Sequence, residues 1–160
     1  DLNDLPPGAV SILERLVGEP YAIEVERGEH APVAADRAQF EQALVNLVLN
    51  ARDAMPDGGR ITVRTGCTDV GEPAAAAVGL APGRYAMLLV SDHGEGIDAA
   101  TVERIFEPFF TTKDVGRGSG LGLATVHGLV AQSGGAIAVE SEQGRGSTFT
   151  VYLPLAPDDA

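Results

Sequence analysis

Three glycine-bearing stretches follow one asparagine-rich helical pattern, and this ordered set limits the possible folds of the chain more than any other feature. The stretches are Asp92-His93-Gly94-Glu95-Gly96, Gly118-Ser119-Gly120-Leu121-Gly122-Leu123 and Gly144-Arg145-Gly146-Ser147-Thr148. Glycine lets a backbone approach a ligand closely and adopt positive φ. Backbone amides at the start of a helix bind anions. With Asn46, Asn50 and Asp53 upstream, the set predicts a nucleotide pocket assembled from distant parts of the chain.

Composition indicates one globular domain and argues against some partners. The chain has 160 residues, of which 44% are apolar, and a net charge of −12 from 23 acidic and 11 basic residues. So acidic a chain is not expected to bind nucleic acid, which requires a basic face. A polyphosphate would have to be held locally, by a divalent cation, backbone amides and a few basic side chains such as Lys113, the only lysine.

No apolar run approaches the ~20 residues that a membrane span needs. The first residues also lack a basic segment followed by an apolar one, the pattern of a signal peptide. We therefore expect a cytoplasmic domain that makes no membrane contact of its own, whether or not a parent protein is anchored in a membrane.

Hydrophobic periodicity and turn residues predict an alternation of helices and strands. We expect helices at about 10–17, 36–55 (capped by Asp36), 99–106 (capped by Asp98) and 120–132, and strands at 21–25, 61–67, 84–91, 136–141 and 147–153, with a loop at 68–82. Strands grouped with helices in this order predict an α+β fold. The expected architecture is a two-layer α/β sandwich, whose mixed, mostly antiparallel sheet is covered on one face by about three helices.

One face of the long helix bears Asn46, Asn50 and Asp53, at spacings of four and three residues. Asparagine is a poor helix former, so two on one face suggest a role other than helix stability. Amide oxygens are hard ligands suited to Mg²⁺, which keeps several waters and phosphate oxygens in its coordination shell. The alternative is a polar helix face whose groups hydrogen-bond within the protein.

Asp92 directly follows a strongly apolar strand and precedes Gly94 and Gly96. A carboxylate at that place can accept a hydrogen bond from the exocyclic amino group of adenine, whereas guanine would present a carbonyl. The alternative is a turn carboxylate that caps the amides of Gly94 or Gly96.

Gly118, Gly120 and Gly122 open the last predicted helix and can supply amides for a phosphate tail. Their spacing is neither that of a P-loop nor that of a dinucleotide-binding turn. The alternative is a flexible hinge before an ordinary core helix. The preceding segment, 111–119, is polar and glycine-rich, and we expect it to be a mobile lid whose basic residues meet phosphate. Arg52 is either a further phosphate contact or a solvated surface residue.

Nothing in the sequence indicates an internal nucleophile. Cys67, the only cysteine, lies in a strand-like run and is interpreted as a structural thiol. His30, His93 and His127 show neither the order of a catalytic triad nor a metal-binding spacing.

Taken together, these motifs resemble the catalytic, ATP-binding domain of sensor histidine kinases. Residues 39–57 resemble the N box, 92–96 the first glycine box, 106–110 (FEPFF) the F box, 118–123 the second glycine box and 144–148 the last. The resemblance extends over about residues 36–153. It implies the Bergerat fold of the GHKL ATPase superfamily, which includes gyrase, MutL and heat-shock chaperones, with ATP bound between the helices and the lid.

The resemblance also implies roles for individual residues. Asn50 is expected to bind Mg²⁺ with help from Asn46, Asp92 to read adenine, and Lys113 to contact phosphate, so that Asn46, Asn50 and Lys113 form the catalytic set. The implied ATP-binding residues are Asn46, Asn50, Asp53, Asp92, Gly94, Gly96, Ile97, Lys113, Gly118, Ser119, Gly120, Leu121, Gly122 and Thr148, the last as a hydroxyl at the pocket floor. Phe106 and Phe109 are expected to anchor the lid.

Hydrolytic members of the superfamily place a glutamate at the position of Asn46, where it activates water. An amide cannot accept that proton, so the resemblance implies that the γ-phosphoryl group is kept for another acceptor. That acceptor is expected to be a histidine on a separate dimeric helical hairpin, the dimerisation domain, and a response-regulator receiver domain is the expected next partner. The opening residues, 1–5, resemble the connection that follows such a hairpin.

The expected organisation is a single domain, with an N-terminal helix and strand in 1–35, an ATP-binding catalytic core in 36–155 and a tail in 156–160. Two other functions remain open on the same fold. One is a regulatory module that binds nucleotide without transferring phosphate, and the other is an anti-sigma-type serine kinase.

Overall fold

The computed structural model describes residues 7–34, 36–107 and 122–156 of the chain. These residues form five helices and five strands: α1 (Pro7–Val17), β1 (Tyr21–Arg27), α2 (Arg37–Asp53), β2 (Gly59–Val70), α3 (Ala74–Ala77), β3 (Gly83–Ser91), α4 (Ala99–Val102), α5 (Gly122–Gln132), β4 (Ala136–Glu142) and β5 (Gly146–Pro154). Of the helices described, none is both long and apolar enough to cross a membrane.

The five strands form one sheet in the order β1-β2-β3-β5-β4. β1 runs parallel to β2, while the other neighbouring pairs are antiparallel. A parallel pair needs a long crossover connection, and α2 lies in the one that joins β1 to β2. The predicted mixed, mostly antiparallel sheet is confirmed.

One face of the sheet is buried by helices and the other is open. Because side chains alternate along a strand, a single set of apolar residues points towards the helices. They pack with apolar side chains of α1, α2 and α5 in one core. The sheet contributes Ile61, Val63, Leu88, Val90, Phe149 and Val151, and the helices contribute Leu13, Leu44, Leu47 and Val126, among others. The opposite face has exposed ion pairs, Glu26–Arg64 at 2.7 Å and Glu24–Arg60 at 3.3 Å. The predicted two-layer sandwich is therefore confirmed.

The long helix α2 begins where its capping residue predicts. Asp36 has an extended backbone, and its Oδ1 accepts hydrogen bonds from the nitrogens of Ala38 at 2.8 Å and Gln39 at 3.3 Å. Such a cap contributes about 1 kcal/mol, since it satisfies amides that have no partner inside the helix. The cap also fixes where α2 begins along its axis.

Two predicted boundaries are wrong. The segment 68–82 is not all loop, because β2 continues to Val70 by pairing with β3, and α3 follows it. The pairing with a neighbouring strand outweighs the polar composition of Thr68 and Asp69. The helix predicted at 99–106 ends at Val102. Beyond it, hydrogen bonds over three residues, such as Glu107 N to the Arg104 oxygen at 3.0 Å, form tighter turns.

Candidate functional site

The end of α2 meets the first glycine motif. The Glu95 nitrogen donates to the Ala54 oxygen at 3.0 Å. A Cβ at Gly94 would lie 2.2 Å from that same oxygen, so only glycine allows the turn to approach the helix this closely. The asparagine helix and the Asp92 turn are thus in direct contact.

Asp92 lies at the bottom of this region and is only 3% exposed. Its Oδ1 accepts hydrogen bonds from the nitrogens of Gly94 at 2.9 Å and Ser147 at 3.3 Å. The turn-capping role considered as the alternative is therefore present, but it occupies one oxygen. Oδ2 has no hydrogen-bond partner among the described residues. Every fully buried side-chain oxygen of those residues does have a partner. Oδ2 is therefore exposed to solvent and can accept a further hydrogen bond.

Burial raises the pKa of the Asp92 carboxyl above its ordinary value, because desolvation penalises the charged form. The hydrogen bonds from Gly94 and Ser147 act in the opposite direction and lower the pKa. A ligand that donates a hydrogen bond to the second, solvent-exposed oxygen of such a carboxylate stabilises its charged form.

On the helix-covered face of the sheet, the buried hydroxyl near the end of β3 belongs to Ser147 and not to Thr148. Ser147 is buried, and its Oγ lies 2.8 Å from Ser141 Oγ, which accepts a hydrogen bond from the Ile97 nitrogen at 2.7 Å. Thr148 points to the open face of the sheet, where its Oγ1 lies 3.0 Å from Ser91 Oγ. The sequence reasoning missed both serines. Strand alternation could have indicated Ser147, whereas nothing in the sequence singled out Ser141.

Two other glycines fix the Asp92 turn against the β4–β5 connection. Gly96 has φ +72°, and a Cβ there would lie 2.1 Å from the Glu142 oxygen. Gly146 has φ +109°, and a Cβ there would lie 2.2 Å from the Asp92 oxygen. The first and last glycine motifs are therefore adjacent, and both are shaped by backbone contacts that exclude a side chain.

The asparagine face of α2 extends from this turn to the start of α5. Asn46 Nδ2 donates to the Gly122 oxygen at 3.3 Å, and Gln42 Nε2 donates to Asn46 Oδ1 at 3.1 Å. Asn50 is half-buried, and within the described part of the chain its side-chain amide makes no hydrogen bond. At 1.5 Å per residue, Asn46 and Ala54 are about 12 Å apart along the helix. Asn50 lies midway between the two glycine motifs that α2 touches.

Arg52 and Asp53 bind each other. Arg52 Nη2 and Asp53 Oδ1 are 3.0 Å apart, and Arg52 Nη1 donates to the Leu16 oxygen at 3.3 Å. This arrangement joins α2 to α1. The structure therefore gives Arg52 a contact with α1, which the sequence did not indicate.

The other residues noted in the sequence lie apart from this group. His127 stacks on Phe106 with ring centroids 5.2 Å apart, which connects α5 to the turn after α4. Cys67 is half-buried and donates from Sγ to the His30 oxygen at 3.1 Å. A shallow apolar cleft between α2 and α5, lined by Phe40 and Leu129 among others, shares no residue with the Asp92 region.

Some predicted site residues lie outside the residues that the structure describes. They are Lys113, Gly118, Ser119, Gly120 and Leu121, together with Phe109 and the predicted lid at 111–119. Within 7–34, 36–107 and 122–156, no group of three or more His, Cys, Asp or Glu side chains is placed to hold a metal ion.

Comparisons with known proteins agree with this geometry. Residues 35–157 match the family described as histidine kinase-, DNA gyrase B- and HSP90-like ATPase. The sensor kinase CckA of Brucella abortus is 47% identical over 156 residues, which cover 96% of this chain and 16% of that protein. The chain thus spans about a sixth of the length of this relative.

Solved structures show the same relationship. The mycobacterial sensor histidine kinase MprB has a TM-score of 0.71 at 29% identity, covering 94% of this chain and 91% of the other. Full-length ShkA, solved in complex with AMPPNP, has a TM-score of 0.72 at 26% identity, covering 100% of this chain and 31% of the other. The chain therefore belongs to the family of histidine kinase-, DNA gyrase B- and HSP90-like ATPases, as a catalytic ATP-binding domain of the sensor histidine kinase type.

Proposed function

We propose that this domain binds ATP with Mg²⁺ and presents the γ-phosphoryl group to a histidine on a separate dimerisation domain of its parent kinase. The main observation in support is the position of α2, which contacts the Asp92 turn through Ala54 and the start of α5 through Asn46. A nucleotide lying along this face would have its base at Asp92 and its phosphates near Asn50 and Gly122.

The base end offers an acceptor that suits adenine. Asp92 Oδ2 would accept a hydrogen bond from the exocyclic amino group of adenine, while Oδ1 remains bound to the Gly94 and Ser147 amides. Ser147 takes the pocket-floor role expected of Thr148, because its hydroxyl lies on the Asp92 side of the sheet. Guanine would place a carbonyl opposite Asp92, and two acceptors repel.

The phosphate end fits a hard divalent cation. Asn50 would hold Mg²⁺ through its amide oxygen, which has no other partner among the described residues and suits an ion that prefers oxygen ligands. When bound, Mg²⁺ supplies charge neutralisation of the phosphates, which a chain with a net charge of −12 otherwise lacks. Lys113 and the amides of 118–122 are proposed as further phosphate contacts.

The chemistry of this chain is positioning, as for phosphoryl transfer in general. Position 46 has an amide, which cannot activate water as a general base. We therefore propose slow hydrolysis and transfer to histidine, followed by transfer to a response-regulator receiver domain. The dimerisation domain is the partner that we assign to the parent kinase.

Two measurements test the proposal. Calorimetry on this chain should show binding of a non-hydrolysable ATP analogue in the presence of Mg²⁺ and weak or no binding of the matching GTP analogue. Incubation with labelled ATP and a separately produced histidine-bearing hairpin from the parent protein should label the hairpin. Equal binding of the two analogues would contradict the adenine role of Asp92. Tight ATP binding without labelling would instead indicate a regulatory module.

A further inference from the structure

Three groups form a chain of hydrogen bonds between two helices. Gln42 Nε2 donates to Asn46 Oδ1 at 3.1 Å, and Asn46 Nδ2 donates to the Gly122 oxygen at 3.3 Å. Gln42 and Asn46 are one turn apart on α2, whereas Gly122 is the first residue of α5, 76 positions beyond Asn46. This series of hydrogen bonds thus connects α2 with the start of α5.

The direction of this chain is fixed by the backbone. A carbonyl oxygen can only accept a hydrogen bond, so Gly122 requires Asn46 to present Nδ2. Asn46 Oδ1 must then point the other way, towards Gln42, whose amide nitrogen donates to it. Asn46 Oδ1 therefore points along α2 towards Gln42, away from Asn50, and Gln42 engages one of its two lone pairs. The Asn50 amide has no such partner among the described residues.

Apolar side chains also join the two helices. Val126 and Val130 of α5 belong to the same core cluster as Leu44 and Leu47 of α2. Val126 and Val130 lie four and eight residues beyond Gly122, so this packing holds the body of α5 against α2. The hydrogen bond from Asn46 to Gly122 instead holds the first turn of α5.

We propose that Asn46, oriented by Gln42, is a positioning residue that fixes the start of α5 relative to Asn50, and that it does not bind the metal ion. This inference rests on the proposed function, because the start of α5 matters for phosphate only if nucleotide binds along α2. Gln42 acts through Asn46 and touches neither nucleotide nor metal.

Nucleotide affinity separates this role from metal binding. For Asn46→Ala, affinity for a non-hydrolysable ATP analogue should fall by about three- to ten-fold, the effect of one partly exposed hydrogen bond. The loss should be the same with Mg²⁺ and with EDTA, because the metal contact is intact. Gln39→Ala is the matched control, since it removes an exposed glutamine from the same helix and should leave the affinity unchanged.

A double-mutant cycle tests the role of Gln42. Gln42→Ala alone should weaken binding less than Asn46→Ala, and the double variant should be no weaker than Asn46→Ala, because Gln42 acts only through Asn46. Additive losses would show that Gln42 has an independent role and would overturn this part of the proposal.

Hydrogen exchange gives a readout that does not depend on nucleotide. In α5 the Val126 amide bonds to the Gly122 oxygen, four residues earlier, so its exchange reports on the first turn. Asn46→Ala should speed exchange of Val126 several-fold while leaving Ile61, in the central sheet, unchanged. Unchanged Val126 exchange, or an affinity loss confined to Mg²⁺, would overturn the inference. If the unsubstituted chain bound no nucleotide, the proposed function would fail, while accelerated Val126 exchange would still support the helix contact.

Discussion

Asp92 Oδ1 lies 3.3 Å from the backbone nitrogen of Ser147, a residue 55 positions later in the chain. This contact brings the end of β3 against the start of β5. The Ser147 side chain is buried on the helix-covered face of the sheet, and Thr148 points to the opposite face. The base pocket that we propose depends on this contact.

Replacing Ser147 should therefore matter more than replacing Thr148. Ser147→Ala removes the hydroxyl on the Asp92 side and should weaken ATP binding by about three- to ten-fold. Thr148→Ala is the matched control, and its ATP affinity should equal that of the unsubstituted chain within experimental error. Calorimetry with Mg²⁺ and an ATP analogue gives both values, and the reverse ranking would restore Thr148 as the pocket hydroxyl.

Asp92→Asn should separate stability from binding. The amide oxygen of asparagine can still accept from Gly94 and Ser147, and the desolvation of a charge is removed. At neutral pH the variant should unfold at the same or higher urea concentration, but it should bind ATP at least several-fold more weakly. Asp57→Asn, at an exposed turn, is the control. A variant that lost both stability and binding would show that Asp92 acts mainly in folding.

The raised pKa of Asp92 gives the sign of a pH effect. Burial favours the protonated form, so between the unfolded value of about 3.9 and the higher folded value the native state binds more protons than the unfolded one. The contribution of Asp92 to stability is thus present at low pH and is lost as pH rises through the folded pKa. ATP affinity should change in the opposite direction and fall on acidification through the folded pKa. Asp92→Asn should remove this component of the affinity profile, and an identical profile in the variant would assign it to another group.

Asn50→Ala should remove the dependence of binding on the metal ion. With the amide oxygen gone, ATP affinity in Mg²⁺ should approach the affinity measured in EDTA, and labelling of the histidine-bearing hairpin should be lost. Gln39→Ala serves again as the control on the same helix. A full Mg²⁺ response in Asn50→Ala would assign the metal to other ligands.

Two glycines with similar φ angles provide a test of the close contact at the base pocket. Gly96 has φ +72°, and a methyl group added there would lie 2.1 Å from the Glu142 oxygen, whereas Gly144 has φ +86° and open space within 4 Å of the same position. Alanine at either position costs about 1–2 kcal/mol for the left-handed backbone. Gly96→Ala should lose more than this in urea unfolding, because the Glu142 backbone must also move. Equal losses would show that the turn can shift freely.

The local sequence determined most of the elements and their type. Asp36 caps α2 as predicted, because a cap depends only on the residues two and three positions later. The alternation of β3 and the helical period of α2 are likewise properties of single segments, so the sandwich and the family resemblance followed from them.

Only the tertiary structure decided which side chains meet. Alternation places Ser147 on the face of the apolar Phe149 and Val151 and Thr148 on the other, but it does not say that Asp92 meets Ser147. The chain from Gln42 through Asn46 to Gly122, and the pairing of Arg52 with Asp53, depend on the height and rotation of whole helices. Those quantities come from packing across the core, where each contact joins residues far apart in the chain, and no local pattern encodes them.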